Sequence, residues 1–341
     1  MKDRPVLRIG RGALADLREV AVELGLERLM LVASRRGAAE YAARLPVDAV
    51  YDSVSPHVPV ETVREAAALA REHGIDGLVG VGGGSAIDTC KAITVELIED
   101  RRLRTIAVPT TYAGAEWTPF FGVVYEPGRK GGGAHELAAP VAAIYDPELQ
   151  LGLPVPETVG TALNALAHCA EAYYAAGHDD RGDRHADCGA TEIAYALPLV
   201  VAEPRSLYAR TRLLGGAMQA AFALEAAGLA LGHALAQALG GRYGLPHGAL
   251  NAICLPAALR FNAEAVPEAV ARFGRRMGTD DPAGRVEELS ALGGFRRLRD
   301  LGVPRDDLAE LAEAVVVRAG AKANPRAASA AEVETLLASV W

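Results

Sequence analysis

The chain has 341 residues, half of them hydrophobic and 23% charged, which is typical of a globular protein with material for more than one hydrophobic core. A formal net charge of -8 and a pI near 5.6 exclude the nucleic-acid-binding classes, because phosphate binding needs a concentrated basic surface. The four cysteines form no Cys-x-x-Cys pair, the N-terminus lacks a signal-peptide pattern, and no run approaches the roughly 20 apolar residues of a membrane helix, so we expect a soluble cytoplasmic protein without a membrane partner.

The first part of the chain alternates strand-like runs with helical patterns. Short β-type runs lie at 29–33, 49–51, 77–81 and 105–108, and apolar residues recur at helical spacing at 13–24, 38–43, 60–73 and 86–98. Such alternation predicts a mostly parallel sheet that is covered on both faces. Segments 120–125 and 141–145 are expected to pair as a hairpin, with a mobile glycine-rich loop at 126–136 between them.

Two glycine-containing turns follow strand-like runs. The first, Gly10-Arg-Gly12, superficially fits a dinucleotide fingerprint, but Ser34 stands where that fingerprint needs an acidic residue. The second, at 82–85, opens the helix predicted at 86–98. Its glycines would let backbone amides approach a diphosphate, and the helix N-terminus would supply partial positive charge. A plain tight turn is the alternative, and we favour cofactor binding.

Hydroxyl-bearing residues follow the strand predicted at 105–108. Thr110, Thr111 and Tyr112 come directly after Pro109. An open α/β sheet binds its ligands at the carboxyl ends of its strands, so a ligand is expected here.

Prolines at 147, 154 and 156 mark a boundary, beyond which the chain is nearly all alanine- and leucine-rich helix. We therefore predict a Rossmann-like α/β domain at 1–151 and an all-helical domain at 152–341, with a cleft between them. Helices are expected at 158–176, 186–200, 207–227 and 229–239, followed by more helices to the C-terminus. Gly228 is the expected break between the third and fourth, and a continuous helix is the alternative.

The candidate chemical centre lies in the helical half. Asn164 and His168 are four residues apart on one predicted helix face, His233 shares a face with Gln237, and His247 begins another helix. Three imidazoles and an oxygen donor could hold a divalent metal, although an amide lacks the charge of a carboxylate. The alternatives are a metal-free pocket whose histidines donate hydrogen bonds or protons, and histidines that merely fill the core.

Several motifs follow one another along the chain. They are Gly82-Gly83-Gly84-Ser85-x-x-Asp88-x-x-Lys91, Pro109-Thr110-Thr111-Tyr112-Ala113-Gly114-Ala115-Glu116, Asp146-Pro147-Glu148-Leu149, Asn164-x-x-x-His168-x-x-Glu171-Ala172, and His233 with Pro246-His247-Gly248. In this order they resemble the iron-containing alcohol dehydrogenase superfamily, and within it the maleylacetate reductase branch.

The resemblance implies the dehydroquinate synthase-like fold of that superfamily, with a dinucleotide domain, a helical domain and a homodimeric assembly. Hydride would pass from NADH or NADPH to a small unsaturated or keto acid. The cofactor would be held or supported by Gly82, Gly83, Gly84, Ser85, Asp88, Lys91, Thr110 and Thr111, and His168, His233 and His247 would surround the reacting end. Asn164 replaces the metal-binding aspartate of the alcohol dehydrogenases, which favours a site without metal. A metal, if bound, would be held by His168, His233, His247 and Asn164.

One departure from the superfamily concerns the residue that would deliver a proton to the substrate. Relatives resemble one another in having a second histidine four residues after the first on the His233 helix, and here that residue is Gln237, which cannot exchange a proton near neutral pH. Either His247, His233 or Tyr112 delivers the proton, or the reaction is a non-redox step such as isomerisation, dehydration or cyclisation. A metal-dependent alcohol dehydrogenase is the other alternative.

Charged residues indicate which nicotinamide cofactor is accepted and where a substrate carboxylate could bind. Ser34-Arg35-Arg36 lacks the acidic residue of many NAD-selective relatives, so NADPH is expected to be accepted, and two exposed arginines without a ligand are the alternative. Arg242 and the pair Arg129-Lys130 are candidates to bind a substrate carboxylate, and exposed salt bridges are the alternative.

Overall fold

The computed structural model describes residues 5–126 and 129–341, apart from the side chains of residues 126, 129 and 130. The chain divides into two compact units, Met1–Gly152 and Leu153–Trp341, and this division lies one residue from the predicted boundary. The first unit is an α/β domain with a parallel six-stranded sheet and the second is helical, so the predicted fold class is confirmed.

The first unit has eight strands and four α-helices among its described residues. The strands are β1 (Val6–Ile9), β2 (Leu29–Val32), β3 (Ala49–Tyr51), β4 (Gly77–Gly82), β5 (Arg104–Pro109), β6 (Phe120–Glu126), β7 (Arg129–Ala134) and β8 (Ala142–Tyr145). The helices are α1 (Leu17–Glu23), α2 (Arg35–Tyr41), α3 (Val60–Glu72) and α4 (Gly84–Glu96). Six strands form one parallel sheet in the order β1-β8-β5-β4-β2-β3.

Both faces of this sheet are buried. Along β2, Leu29 and Leu31 belong to one hydrophobic cluster with Leu17 of α1, whereas Met30 and Val32 belong to another cluster with α3 and α4. Successive side chains of a strand point to opposite faces, which explains why β2 reads as a continuous apolar run.

The predicted hairpin between segments 120–125 and 141–145 is wrong. β6 instead pairs antiparallel with β7, which lies inside the segment predicted to be a loop, and β8 pairs in parallel with β1 and β5. All four residues of β8 are buried, as a central parallel strand requires. Gly131 and Gly133 leave room for the rings of Tyr125 and Phe121, since a Cβ at either glycine would lie 2.7 Å from the ring.

The second unit is built from helices throughout its length. They are α5 (Val155–Ala172), α6 (Asp180–Ala202), α7 (Leu207–Ala227), α8 (Leu231–Tyr243), α9 (His247–Ala263), α10 (Pro267–Arg276), α11 (Pro282–Ala291), α12 (Leu308–Val316), α13 (Ala319–Lys322) and α14 (Ala330–Ser339). The predicted break at Gly228 is confirmed, because α7 ends at Ala227 and Gly228 has a φ of 81°. None of the described helices is by itself long and apolar enough to cross a membrane, whereas α7 and α8, bent by 100° at their junction, meet that length and composition test only as a pair.

Candidate active site

The glycine turn lies where two central strands end. Gly82 ends β4 beside Pro109 of β5, and the backbone N–H of Thr110 donates to the Gly82 carbonyl at 2.9 Å. Gly83 precedes α4 and offers no side-chain cap to its N-terminal amides. A Cβ at Gly83 would lie 2.9 Å from Thr111 Cγ2, so only glycine lets the threonine approach this closely. The turn thus presents open backbone, which is what a diphosphate group requires.

A cavity of about 180 Å³ lies against this turn. It brings together Ser34 and the predicted residues Gly82, Gly83 and Ser85. The remaining lining comes from Val54, Ser55, Pro56, Val81 and Ala86. Sequence reasoning missed the segment that begins at Val54, although its position after a parallel strand could have indicated it. That segment continues into His57 and Val58, whose φ angles of 64° and 52° mark a strained backbone directly after the lining residue Pro56.

Asp88 and Lys91 lie on α4 and bind the segment at the start of β6. The buried Lys91 Nζ donates to Asp88 Oδ1 at 3.1 Å, to Thr118 Oγ1 at 3.1 Å and to the Phe120 carbonyl at 2.9 Å. Asp88 Oδ2 accepts from the Gly122 N–H at 3.1 Å. All three ammonium protons of Lys91 are therefore used within the protein, and the pair fastens α4 to the start of β6.

The second unit brings the predicted histidines together. The rings of His168 and His233 stack with centroids 4.8 Å apart, and those of His233 and His247 lie 5.7 Å apart. Gly248, which follows His247, makes this possible: a Cβ there would lie 2.5 Å from the Gly160 backbone, so α9 and α5 meet through two glycines. This contact places the beginning of α9 beside the face of α5 that carries Asn164 and His168.

Glu171 is the first functional residue that sequence reasoning left without a role. It lies three residues after His168 on α5 and is fully buried. Its Oε1 accepts from the His233 backbone N–H at 3.0 Å, and its Oε2 accepts from the Ala230 N–H at 2.7 Å and lies 2.8 Å from His233 Nδ1. Because both oxygens already accept backbone N–H groups, Nδ1 of His233 must carry the proton and donate it to the carboxylate. Nε2, which is buried without a partner, is then the atom that His233 offers to a ligand.

His168 is kept neutral by its surroundings. Burial lowers the pKa of its imidazole well below the ordinary value, and the neighbouring His233 and His247 lower it further. Its Nδ1 is also buried without a hydrogen-bond partner. Two imidazole nitrogens in this cluster, on His168 and His233, are therefore buried without a hydrogen-bond partner among the described residues, which a native site rarely leaves without a ligand.

Asn251 is the second residue that sequence reasoning missed, although it follows His247 by four residues on α9. Its Nδ2 donates to Asn164 Oδ1 at 2.7 Å and lies 3.1 Å from His247 Nε2. The amide thus faces the atoms with which Asn164 and His247 would bind a cation. In the described part of the chain, no three His, Cys, Asp or Glu side chains have an arrangement that could hold a metal ion. Glu171 already accepts hydrogen bonds from His233 and the start of α8, so the candidate ligands that remain, three imidazoles and the Asn164 amide, include no carboxylate.

The remaining candidates lie in different places. Gln237 is half-buried on α8, one turn after His233. Tyr112 is buried in the first unit, and its role as a proton donor stays a prediction. The Arg242 guanidinium is already engaged by Glu310 at 2.6 Å and Asp307 at 3.3 Å, as in the salt-bridge alternative. The side chain of Lys130 lies outside the described residues, as does that of Arg129.

Two family models match this chain and together cover almost all of it. Residues 5–147 match the iron-containing alcohol dehydrogenase model, and residues 158–341 match the model of the C-terminal part of the Fe-containing alcohol dehydrogenase family. The maleylacetate reductase of Sphingobium indicum is 37% identical over 322 residues, which cover 93% of this chain and 90% of that protein.

Solved structures show the same similarity. The maleylacetate reductase of a Rhizobium species has a TM-score of 0.91 at 32% identity, and the match covers 100% of this chain and 97% of that chain. The sulfoacetaldehyde reductase of Bifidobacterium kashiwanohense, in complex with NAD+, has a TM-score of 0.91 at 26% identity over 99% of this chain and 97% of that chain. The chain therefore belongs to the iron-containing alcohol dehydrogenase family and is an oxidoreductase of that family.

Proposed function

We propose that the protein is an NADH- or NADPH-dependent reductase of a small carboxylated or carbonyl substrate, with a reaction like that of the maleylacetate reductases, and that it works without a metal. The observation that carries this proposal is the hydrogen bond from Asn251 to Asn164 inside the histidine cluster. It engages the Asn164 oxygen, a neutral donor without the charge of a carboxylate, and so supports a site in which the imidazoles act on the substrate directly.

The first unit supplies the cofactor site in this proposal. The diphosphate lies against the glycine turn and the uncapped start of α4, where backbone N–H groups and the helix dipole favour negative charge. Ser34 lines the cavity beside the turn, and Arg35 and Arg36 follow it as exposed residues. No acidic side chain at these three positions repels a 2'-phosphate, so we propose that NADPH is accepted.

The second unit supplies the groups that meet the substrate. A reduced nicotinamide bound by the first unit would supply hydride to an electron-poor carbon of the substrate. The substrate oxygen that receives the displaced electron pair would then need a hydrogen bond or a proton from this chain. Glu171 fixes His233 with Nε2 available, and the neutral His168 stacks against it. The bond between Nδ1 and the carboxylate prevents the His233 ring from turning during the reaction.

Two measurements on the purified protein test this function. Titration with NADPH and with NADH should change nicotinamide fluorescence, and maleylacetate should be reduced with loss of nicotinamide absorbance. Failure of both dinucleotides to bind would reject the proposal. Consumption of substrate without any change in nicotinamide absorbance would favour the non-redox alternative, for which the replacement of the relay histidine by Gln237 is the motivating observation.

A further inference from the structure

Arg318 is a half-buried guanidinium without a counter-ion. It precedes α13 and forms no hydrogen bond or ion pair with the residues that the structure describes, and its Nε is buried without a partner. Burial lowers the pKa of this side chain, and no carboxylate acts on it in the opposite direction. Arg242 and Arg326, by contrast, are held by acidic side chains. An arginine stays charged when it is desolvated, so a group that is left unpaired in this way is suited to an anionic ligand.

The position of Arg318 relates it to the histidine cluster. Gly320 lets α13 cross the start of α8 closely, since a Cβ there would lie 2.6 Å from the Ala230 carbonyl. Further along α8, Nη2 of Arg318 lies 3.8 Å from the Cβ position of Gly241. Gly241 follows His233 by eight residues, or about two helical turns, so both lie on one side of α8. The guanidinium is thus at the far end of the helix side that begins at His233.

Gln237 lies between these two ends. It follows His233 by four residues and precedes Gly241 by four, and its half-buried side chain has no hydrogen bond with the described residues. Its amide can donate to an oxygen although it cannot exchange a proton. An amide and a guanidinium on one helix side form a donor pair that suits a carboxylate.

The spacing along α8 sets the size of the ligand. At about 1.5 Å per residue, the Cα atoms of His233 and Gly241 are about 12 Å apart along the helix axis. A short-chain acid with a hydrogen bond of about 3 Å at each end covers such a span. The acid group would then lie several carbons away from the carbon that receives hydride.

We propose that Arg318 and Gln237 bind the substrate carboxylate that is remote from the reduced carbon, and that these two side chains therefore determine how strongly the enzyme prefers substrates with that group. The inference rests on the proposed reductase function, because it uses His233 as the reacting end. It also gives Gln237 a binding role in the position where relatives have a histidine.

The test uses the full-length protein and compares Arg318→Gln, Arg318→Lys and Arg242→Gln. The last variant is the matched control, because Arg242 adjoins Gly241 but is already paired with Asp307 and Glu310. Loss of a charged hydrogen bond should raise the KM for maleylacetate about 10- to 100-fold in Arg318→Gln, with kcat and the affinity for NADPH nearly unchanged. Arg318→Lys should recover part of the loss, since it restores the charge without the planar fork. Arg242→Gln should keep the wild-type KM.

A binding measurement separates this inference from the reductase function. Adipate, an unreactive di-acid, should bind the wild-type protein more tightly in calorimetry than monomethyl adipate, and the difference should disappear in Arg318→Gln. This comparison needs no turnover, so it stands even if the protein reduces nothing. Equal binding of the two probes by the wild type, or an undiminished preference in a folded Arg318→Gln variant, would overturn the carboxylate site.

Discussion

At the scale of single residues, the orientation of the His233 side chain depends on the Glu171 carboxylate, which accepts hydrogen bonds and donates none. Replacing Glu171 by Gln puts an NH2 group against the backbone N–H of either Ala230 or His233, whichever way the amide turns. We expect Glu171→Gln to lose about 1–3 kcal/mol of unfolding free energy, the cost of an unsatisfied buried polar group. We also expect kcat to fall at least about tenfold, because His233 loses its fixed tautomer.

Glu157→Gln, a change at an exposed position of the same helix, is the control for the Glu171 prediction. Steady-state kinetics and denaturant unfolding measure the two effects. A Glu171→Gln variant with wild-type kcat would show that the tautomer of His233 is irrelevant to the reaction.

His168 predicts a particular pH dependence of stability. The folded protein keeps this imidazole neutral, whereas the unfolded chain takes up its proton near the ordinary pKa of about 6.5. The unfolded state therefore binds more protons below that pH, and the free energy of unfolding falls as the pH is lowered, by up to about 1.4 kcal/mol per pH unit. The stability that His168 contributes is fully present above pH 7 and is lost on acidification.

Unfolding by denaturant at several pH values between neutrality and about pH 5 measures this contribution. His168→Gln, which cannot take up a proton, should have a shallower fall than the wild type. Equal slopes in the two proteins would mean that His168 is protonated in the folded state as readily as in the unfolded chain.

The sequence indicates which histidines and amide come together better than it indicates their hydrogen-bond partners. Asn164 and His168 share a helix face by spacing alone, and the structure brings His233 and His247 to them. Glu171 follows His168 by three residues and so lies near the same helix face, but the sequence indicated no partner for it, because its hydrogen bonds go to a helix that is distant in sequence. Hydrogen-bond partners of this kind are set by tertiary packing, which periodicity does not encode.

At the scale of elements, the contact between α5 and α9 decides whether the histidines meet. A Cβ at Gly248 would lie 2.5 Å from the Gly160 backbone, so Gly248→Ala must push the helices apart. We expect a loss of about 1–3 kcal/mol in unfolding free energy, together with reduced activity. Denaturant unfolding and steady-state kinetics measure both quantities.

Gly215→Ala in α7 is the matched control for the helix contact, because nothing lies within 4 Å of the Cβ position there. It should be neutral or should stabilise the protein by about 0.5–1 kcal/mol, as expected for alanine in a helix interior. If Gly248→Ala were equally harmless, the two helices would have to be held by other contacts.

The β6–β7 hairpin shows why a strand can be missed when it is predicted from sequence. β7 contains three consecutive glycines, a composition that is depleted in strands and typical of loops. Its pairing with β6 is explained by the rings of Phe121 and Tyr125, which cover the glycines. The composition of β7 alone therefore cannot indicate a strand, because the apolar side chains that pack on it belong to β6.

At the scale of the whole molecule, the proposed cofactor and substrate sites lie in different units, so each can be changed by itself. Gly83→Ala would place a Cβ 2.9 Å from Thr111 Cγ2 in the first unit, beside the proposed diphosphate. The affinity for NADPH should fall about tenfold, which corresponds to about 1.4 kcal/mol. Adipate binding, which we assign to the second unit, should be unchanged. Fluorescence titration and calorimetry measure the two affinities.

Thr111→Ser in the Gly83→Ala background removes the Cγ2 methyl and should recover part of the NADPH affinity. An unaltered NADPH affinity in Gly83→Ala would place the diphosphate elsewhere. Division into an α/β unit and a helical unit could be predicted from the change in periodicity near residue 151, because that signal extends over many helices.

Metal content together with activity tests the central claim most directly. The purified wild-type protein should contain far less than one iron or zinc per chain and should reduce maleylacetate with NADPH at the same rate before and after treatment with a chelator. Asn164→Asp, which supplies the carboxylate that a cation prefers, should retain more metal than the wild type. Stoichiometric iron or zinc in the wild type, with activity that is lost to the chelator and restored by the metal, would contradict the account.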